Sequence, residues 1–434
     1  MDRDVVRVGL LGCGTVGAAL VQLIAEHGDT IAARSGVRLE VARVAVSDTG
    51  RQRPVTFADG VLSDGAAAVV ASPEVDVVVE VMGGIEPARD LIRTALEAGK
   101  PVVTANKEVL ATAGAELVEV AAKAGVDLLY EAAVAGAIPI LRPLRESLAG
   151  DRLRRVMGIV NGTTNFILTR MSESGRSFAD ALGEAQALGY AERDPTADVE
   201  GYDAAAKAAI IASVALGVQV VTADVHREGI SGVTTLDIAM AARLGYVIKL
   251  LAIVEAVDDP HGGPGEVAVR VHPAMVPADH PLASVRDSYN AVFVEGAAAG
   301  ELMFYGRGAG GRPTASAVLG DLVDAAVNLR RGTAAAPAGL VPARIRPIGE
   351  LSSQYYLTID VVDRPGVLEK VAGATARHGV SILKMEQVGL GDEARLVLVT
   401  HTAGERAMQA TIADLRELDE VDRVGSLLRV IGPE

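Results

Sequence analysis

A strand-like apolar run, a glycine-rich turn and a helical segment open the chain, and together they constrain its fold more than any other feature. The turn reads Gly12-Cys-Gly-Thr-Val-Gly17. In this strand–turn–helix context the spacing G-x-G-x-x-G is typical of dinucleotide binding. Gly12 permits the turn, Gly14 lets a pyrophosphate approach the backbone, and Gly17 allows the helix to pack closely on the strand. The phosphates would lie at the helix N-terminus, where free N–H groups point outward.

Alternating strands and helices follow, and they predict a doubly wound parallel sheet. The further strand-like runs are residues 39–46, 75–81, 101–104 and 127–130. Ligands of such sheets bind at the carboxyl ends of the strands, where Met82-Gly-Gly84 and Thr104-Ala-Asn-Lys107 stand. Besides the turn glycines, the expected cofactor contacts are Thr15, Val16, Met82, Gly83, Thr104 and Lys107.

The loop after the second strand leaves the choice between NAD and NADP open. An acidic residue there favours the ribose 2′-hydroxyl of NAD, and a basic residue favours the 2′-phosphate of NADP. Asp48 indicates the first, whereas Arg51 and Arg53 indicate the second. A solvated loop of mixed charge is the alternative interpretation of all three residues.

Composition excludes several classes of protein. A formal net charge of −15 over 434 residues argues against non-specific binding to nucleic acid or to an anionic membrane. Cys13 is the single cysteine, so no intrachain disulfide can form. The N-terminus shows no secretory signal, and no apolar run is long enough to span a membrane. We expect a soluble, cytoplasmic protein of two or three domains with aliphatic cores.

Charged side chains cluster in residues 189–207 of a chain that is otherwise rich in Ala, Val, Leu and Gly. The cluster leads directly into the apolar segment 208–214, and polar groups beside a buried helix are unfavourable unless they are used. Asp203 and Lys207 are four residues apart and would share one face of a helix. The alternative is a solvated loop and a capped helix with a surface ion pair.

Two further turns offer polar groups. Glu131 opens the segment Glu-Ala-Ala-Val-Ala-Gly-Ala-Ile-Pro139. Its carboxylate would either cap the turn or join main-chain carbonyls around a hard cation, which prefers oxygen ligands. Asn161-Gly-Thr-Thr-Asn165 follows a strand; it is either a turn rich in hydrogen-bonding groups or the cap of the next helix.

Taken together, these motifs resemble homoserine dehydrogenase, in the same order over about three quarters of the chain. The matching segments are Gly12-x-Gly-x-x-Gly17, Thr104-Ala-Asn-Lys107, Glu131-Ala-x-Val-x-Gly-x-x-Pro139, Asn161-Gly-Thr-Thr-Asn165, Gly189-Tyr-Ala-Glu-x-Asp-Pro-x-x-Asp-Val-x-Gly-x-Asp-x-x-x-Lys207 and Gly308-Ala-Gly-x-x-x-Thr-Ala-Ser-Ala-Val318. The resemblance implies NAD(P)H-dependent interconversion of L-aspartate 4-semialdehyde and L-homoserine, in the biosynthesis of threonine, methionine and isoleucine. NADPH is the expected cofactor and NADH the alternative.

The resemblance also implies roles for individual residues. The catalytic residues would be Lys207, Lys107 and Asp203, and the substrate-binding residues Glu192, Asp198, Asp203, Asn161 and Thr163. A monovalent cation, sodium, would be held by Glu131 with the main-chain carbonyls of Val134, Gly136 and Ile138, and Gly310 would approach the cofactor. In one departure from the family pattern, Arg193 stands where proline is common, which predicts a shifted loop beside Glu192.

The last part of the chain predicts a separate regulatory module. Residues 353–434 follow a βαββαβ order, which is ferredoxin-like. The turn Asp363-Arg-Pro-Gly-Val-Leu368 resembles ACT domains, which bind amino acids. On this enzyme such a module implies feedback inhibition by threonine, and the alternative is an oligomerisation module without a ligand.

The expected architecture is α/β, with a Rossmann-type nucleotide domain, an α+β catalytic and dimerisation domain and an ACT domain. The expected bounds are 1–135 for the nucleotide domain, 136–305 for the catalytic domain, 306–335 for a segment returning to the nucleotide domain, 336–352 for a linker and 353–434 for the ACT domain. Residues 258–265 are expected to be a surface insertion. A homodimer and a homotetramer remain alternatives. A nucleotide-binding regulatory protein without turnover is the alternative function.

Overall fold

The computed structural model describes residues 5–257, 265–335, 339–389 and 393–432. It divides into two compact units: Met1–Val160, Ala205–Val225 and Tyr289–Ala343 form the first, and Asn161–Ala204, His226–Ser288 and Arg344–Glu434 form the second. The predicted surface insertion lies outside the described residues except for Gly265, as do residues 336–338 of the predicted linker. Within the described ranges, no helix combines the length and the apolar character needed to cross a bilayer.

The elements follow one another in chain order. Up to residue 216 they are β1 (Val5–Leu11), α1 (Thr15–Ser35), β2 (Arg38–Ala45), β3 (Leu62–Ser63), α2 (Ala66–Ala71), β4 (Val77–Glu80), α3 (Ala88–Glu97), β5 (Val102–Thr104), α4 (Lys107–Ala124), β6 (Leu128–Leu129), β7 (Leu153–Ile159), α5 (Gly162–Ser174), α6 (Phe178–Ala187), α7 (Thr196–Val199) and α8 (Tyr202–Leu216). The remainder are β8 (Val218–Gln219), β9 (His226–Arg227), α9 (Thr235–Leu244), β10 (Tyr246–Val257), β11 (Glu266–Pro277), β12 (Tyr289–Gly296), β13 (Gly300–Arg307), α10 (Gly311–Arg331), β14 (Val341–Pro342), β15 (Ser352–Val362), α11 (Val367–Arg377), β16 (Ile382–Gly389), β17 (Glu393–Thr400), β18 (Ala403–Gly404), α12 (Glu405–Arg416) and β19 (Val421–Val430).

The first unit contains the predicted doubly wound sheet. Its six strands are parallel and lie in the order β3-β2-β1-β4-β5-β6, which is the order of a Rossmann fold. Successive side chains of a strand point to opposite faces, so Val77 and Val79 join the apolar cluster on one face and Val78 joins the cluster on the other. The sequence-based prediction of a Rossmann-type sheet is therefore confirmed.

Helices cover both faces of this sheet. The first cluster takes its helical residues from α1 and from α10, which contributes Val318 and Leu322. The second takes them from α2, α3 and α4. The late helix α10 thus packs on the nucleotide-binding sheet although it begins about 180 residues after β6. The same unit holds an antiparallel arrangement of β7, β12 and β13, and a short parallel pair of β8 with β14.

The second unit contains the predicted βαββαβ module. Its strands lie in the order β19-β15-β17-β16, with β15 paired antiparallel to both neighbours. The apolar cluster of α11, α12 and the sheet holds the module together. Its last strand, β19, also pairs in parallel with β11, where Ala274 lies opposite Arg429. The module therefore shares main-chain pairing with the strand pair β10–β11, a connection that the sequence did not indicate.

Candidate active site

The glycine turn has the geometry that close contact with a pyrophosphate requires. Gly12 has a φ of 96°, and a Cβ on Gly17 would lie 2.2 Å from the Gly12 carbonyl oxygen, so both positions need glycine. A Cβ on Gly14 would meet no atom within 4 Å. Gly14 is also the N-cap of α1 and provides no side chain to cap it. The first N–H groups of α1 therefore have no capping side chain at this position, which is the condition for an anion to bind there.

A buried carboxylate organises the next two loops at this edge of the sheet. Glu80 ends β4 with none of its surface exposed. It accepts hydrogen bonds from the main-chain N–H of Met82 at 2.8 Å and from the hydroxyl of Thr104 at 2.6 Å. Asn106 donates its side-chain amide to the Gly84 carbonyl at 2.7 Å. The predicted loops after β4 and β5 are thus joined to each other through Glu80 and Asn106.

Lys107 is the first residue of α4 and is half-buried. The side chain of Asn106 caps this helix, because its oxygen accepts a hydrogen bond from the Val109 N–H at 3.2 Å. The same residue donates to the Gly84 carbonyl, so both ends of its amide are used. This double attachment fixes the backbone from which Lys107 projects.

The start of α10 lies beside the glycine turn. Gly310 has a φ of 124° and precedes the first turn of the helix. A Cβ on Gly311 would lie 3.0 Å from the Thr15 side chain and 3.2 Å from the Thr15 carbonyl. The N-termini of α1 and α10 therefore approach each other, and the backbone of Gly310 lies near the predicted phosphate turn.

The Glu131 carboxylate caps the backbone that follows its own loop. It accepts hydrogen bonds from the N–H groups of Ile140 at 2.5 Å, Leu141 at 2.7 Å and Arg142 at 2.8 Å. A carboxylate has about four lone-pair sites, so three hydrogen bonds leave room for one more partner. The Glu131 carboxylate therefore acts as a cap, which was one of its two expected roles. The N–H groups that it binds follow the turn and are not part of it.

The loop between these anchors presents main-chain oxygens. Ala135 and Gly136 both adopt the left-handed conformation, with φ values of 55° and 57°, which is uncommon for alanine. Among the described residues, the main-chain hydrogen bonds of this loop do not end on the carbonyl oxygens of Val134, Gly136 or Ile138. Within the same described ranges, no group of three His, Cys, Asp or Glu side chains is arranged to hold a metal ion. A cation here would therefore depend on carbonyl oxygens with a single carboxylate, which is a donor set that suits a hard monovalent ion.

Asp321 of α10 holds the start of this loop. It is 3% exposed and accepts hydrogen bonds from the Glu131 N–H at 2.7 Å and from the Arg142 guanidinium at 2.9 Å. Burial raises the pKa of Asp321 to about 7, with the Glu131 N–H opposing the rise and the Glu131 carboxylate adding to it. The main chain of Glu131 is thus tied to the helix that also approaches the glycine turn.

In the second unit, Asn161 joins two of the predicted substrate-binding carboxylates. Its amide nitrogen donates to Asp198 at 2.7 Å and to Asp203 at 2.9 Å. Its amide oxygen caps α5 by accepting from the Thr164 N–H at 2.9 Å. Both sequence-based interpretations of the Asn161 turn therefore hold at once, because the two ends of one amide serve different partners.

The remaining predicted residues have different surroundings. Lys207 is half-buried on α8, four residues after Asp203, and its ammonium donates to the Val160 carbonyl at 2.8 Å. The Thr163 hydroxyl donates to the Tyr190 carbonyl at 2.8 Å. Glu192 and Arg193 are both exposed, outside the hydrogen bonds of Asn161. We call residues 192–203, which carry Asp198 and Asp203, the acidic loop.

Two residues of this arrangement were missed by sequence reasoning. Glu80 is an acid at the end of an otherwise all-valine strand, and a charge in such a strand is unfavourable unless it is paired. The position of this acid in the sequence therefore indicated a paired, buried carboxylate. Asp321 lies inside an amphipathic helix, where an acid usually faces solvent. Only the tertiary structure shows that it faces Glu131 and Arg142.

Comparisons with known proteins agree with this geometry. The family model described as the NAD binding domain of homoserine dehydrogenase matches residues 12–131, the homoserine dehydrogenase model matches residues 139–323, and the ACT domain model matches residues 355–420. A homoserine dehydrogenase of Corynebacterium glutamicum is 50% identical over 98% of this chain and 95% of its own length.

Two solved structures add to the comparison. A homoserine dehydrogenase from Thiobacillus denitrificans is 39% identical, covers 98% of both chains and has a TM-score of 0.92. A hyperthermophilic archaeal homoserine dehydrogenase in complex with NADPH is 30% identical and has a TM-score of 0.61, over 75% of this chain and 98% of its own.

A Rossmann sheet with an open glycine turn, together with these matches, defines a nicotinamide-dependent oxidoreductase that acts on a CH–OH group. The chain belongs to the homoserine dehydrogenase family and carries a C-terminal ACT domain. Its reaction interconverts L-aspartate 4-semialdehyde and L-homoserine, and the ACT domain is consistent with regulation by an amino acid.

Proposed function

We propose that this homoserine dehydrogenase works with NADPH toward homoserine, and that Lys207 and Lys107 act on the reacting carbonyl. The nicotinamide, when bound, supplies the hydride that reduces the aldehyde carbon. The developing alkoxide then needs a proton or a positive charge, and an ammonium group can supply either. Lys207 is proposed as the proton donor, Asp203 as the residue that orients it, and Lys107 as the charge that polarises the carbonyl.

The observation that most strongly supports these roles is the attachment of Asp198 and Asp203 to one amide of Asn161. Two carboxylates held this closely concentrate negative charge at the start of the helix that carries Lys207. The α-ammonium group of aspartate semialdehyde is the complementary partner. Glu192, exposed on the same loop, and Thr163 are proposed to complete the substrate contacts.

The surroundings of Cys13 support NADPH over NADH. Burial raises the pKa of the Cys13 thiol, and the nearby Arg53 guanidinium opposes the rise. The Arg53 charge thus acts on a thiol of the glycine turn, and a cation bordering this turn would favour a 2′-phosphate. The Asp48 carboxylate accepts a hydrogen bond from the Gly50 N–H at 2.8 Å, and the Arg53 guanidinium donates to the Arg51 carbonyl at 2.7 Å, so both side chains also have partners within their own loop.

The purified chain should consume NADPH when L-aspartate 4-semialdehyde is added, with a higher kcat/KM than with NADH. Absorbance at the reduced-nicotinamide band measures both rates. Arg53→Ala should raise KM for NADPH more than KM for NADH, whereas Arg51→Ala, also in this loop, should alter neither by much. Absence of turnover with either cofactor would instead favour a nucleotide-binding regulator.

We also propose that the loop 131–139 binds a monovalent cation, sodium, through Glu131 and the carbonyls of Val134, Gly136 and Ile138. The main-chain oxygens are available, and the left-handed Ala135 gives the loop a strained conformation that a bound ion would offset. The ion would fix the loop that Asp321 and Glu131 tie to α10.

Glu131→Gln should weaken sodium binding, because a neutral amide removes the one charged ligand and places an N–H donor against the N–H groups of residues 140–142. In the parent chain, sodium chloride should raise the melting temperature above that in choline chloride, and this difference should disappear in the variant. Glu97→Gln, an exposed glutamate at the end of α3, is the matched control. An equal sodium effect in all three chains would contradict the site.

We propose that the active enzyme is a homodimer or homotetramer in the cytoplasm, with the domain bounds expected from the sequence.

Finally, we propose that threonine is the effector of the ACT domain. A cavity of about 300 Å³ adjoins the turn 363–368 at the start of α11, which is large enough for a small amino acid. Threonine should inhibit the full chain, and Asp363→Asn should weaken inhibition while Asp419→Asn should not. Unchanged inhibition in Asp363→Asn, or none in the parent chain, would favour the oligomerisation alternative.

A further inference from the structure

Residues 226–230, which we call the brace, contact both the acidic loop and the last strand of the ACT domain. The brace begins as β9, which pairs in parallel with β11. At its other end the Ile230 N–H donates to the Val199 carbonyl at 2.8 Å. All of these residues belong to the second unit.

Arg227 holds the part of the acidic loop that lies between Asp198 and Asp203. Its guanidinium donates to the Glu200 carbonyl at 2.5 Å. The same group lies over the Tyr202 ring, with its central carbon 3.4 Å from the ring centroid, a favourable cation–π arrangement. Asp203 follows Tyr202 directly, so the two contacts fix the backbone from which that carboxylate projects.

The backbone of the brace packs closely against the backbone of the loop at Gly229. A Cβ on Gly229 would lie 2.6 Å from the Val199 carbonyl oxygen and 2.7 Å from the Glu200 Cα. Gly201, in the loop, has a φ of 79°. Two surfaces packed this closely shift together, because the interior of a protein has few gaps to absorb a displacement.

Glu228 ties the brace to the ACT domain. Its carboxylate accepts a hydrogen bond from Arg429 of β19 at 2.8 Å, and it is also paired with His226 at 2.8 Å. Burial acts to raise the pKa of Glu228, but the His226 hydrogen bond and the Arg429 charge lower it to about 2. The Glu228–Arg429 pair is thus fully charged at neutral pH.

Arg429 is fixed inside the ACT domain. It is 3% exposed and makes two parallel hydrogen bonds, both 3.0 Å, with Glu405 of α12. Tyr355 of β15 donates to the same carboxylate at 2.9 Å. A buried guanidinium with this bidentate geometry has one orientation. The ACT core therefore determines where Arg429 meets Glu228.

We propose that Arg227 is a positioning residue for the acidic loop, and that Arg429 of the ACT domain sets the position of the brace through Glu228. The inference rests on the proposed role of Asp198 and Asp203 in binding the substrate. Its consequence is that the ACT domain acts on the affinity for aspartate semialdehyde and leaves cofactor affinity unchanged.

Arg227→Met tests the first half, because methionine keeps the apolar stem and removes the hydrogen bond and the charge. KM for aspartate semialdehyde should rise about tenfold while kcat changes by less than about threefold, since the loop is displaced and the reacting groups are kept. The dissociation constant for NADPH, from its fluorescence in the full chain, should not change. Arg286→Met, an exposed arginine of the same unit, is the control.

Arg429→Lys and Glu228→Gln test the second half with small changes in volume. Each should raise KM for aspartate semialdehyde with an unchanged NADPH dissociation constant, and the double variant should be no worse than the more affected single one. Arg423→Lys, also on β19 but mostly exposed, is the control. If Arg429→Lys unfolds, Glu228→Gln still gives the answer, because it leaves the Glu405 contacts in place.

The outcomes separate this inference from the proposed function. If the parent chain shows no turnover, the proposed function fails. If it turns over and Arg227→Met keeps the parent KM, only the positioning role is wrong. If Arg227→Met raises KM but Glu228→Gln does not, the connection to the ACT domain is overturned. A rise in the NADPH dissociation constant equal to the rise in KM would indicate general loosening and would also contradict the inference.

Discussion

Lys207→Ala should abolish measurable turnover while NADPH binding survives. A positioned acid contributes a factor of about 10² to 10⁴ in rate, so we expect kcat to fall by about 10³-fold or more. The ammonium donates to the Val160 carbonyl at 2.8 Å, at the end of β7, whereas the proposed phosphate contacts belong to the glycine turn before α1. Steady-state kinetics with a separate measurement of NADPH fluorescence distinguish the two effects.

Two further variants sharpen this test. Lys207→Arg keeps a positive charge but provides a guanidinium, which does not give up its proton near neutral pH. Recovery of activity in Lys207→Arg would mean that charge alone is required, whereas continued inactivity supports proton donation. Lys123→Ala removes an exposed lysine of α4 and should have normal kinetics. Near-normal turnover in Lys207→Ala would refute the assignment.

Local sequence was sufficient for features in which neighbours along the chain determine the geometry. The glycine turn is such a case, because strand, turn and helix follow one another directly over residues 5–35, and Gly12 and Gly17 each have a steric reason in the backbone. The ferredoxin-like order of the last module is another, because each strand and helix had its own hydrophobic pattern. These predictions of fold were confirmed.

Features that depend on distant residues were beyond sequence reasoning. Asp321 meets Glu131 across 190 positions, and the pairing of β19 with β11 joins residues 274 and 429. No local pattern records such partners. The pairing has a practical consequence: deleting the ACT domain would expose the edge of β11, so a loss of activity on truncation would not separate regulation from stability.

Two turns for which the sequence left alternatives open also depend on partners elsewhere in the chain. The Asn161 turn was either rich in hydrogen-bonding groups or a helix cap, and the Glu131 turn had a capping and a cation-binding interpretation. In the structure both residues cap backbone N–H groups, and Asn161 also binds two carboxylates. A polar residue with two functional ends serves both purposes, so evidence for a cap is not evidence against a site. The roles of these residues in binding substrate and cation stay predictions.

Gly14→Ala should remove cofactor affinity without loss of stability. The added Cβ meets no atom within 4 Å, and the φ of −83° with a ψ of −148° lies at the border of the extended region. We therefore expect the free energy of unfolding to change by less than about 1 kcal/mol. The same methyl group would occupy the space through which a pyrophosphate reaches the backbone, so the NADPH dissociation constant should rise about 100-fold, which corresponds to about 2.7 kcal/mol.

Two neighbouring glycines provide the contrast that makes this prediction specific. A Cβ on Gly17 would lie 2.2 Å from the Gly12 carbonyl, so Gly17→Ala should lose about 2 kcal/mol or more of stability together with cofactor affinity. Gly28 lies in the middle of α1 with open space around it, so Gly28→Ala should gain about 0.5–1 kcal/mol and bind NADPH normally. Chemical denaturation and NADPH titration on the three variants test the assignment. If Gly14→Ala binds NADPH as the parent chain does, the phosphates do not lie at the N-terminus of α1, and the open space beside Gly14 needs another explanation.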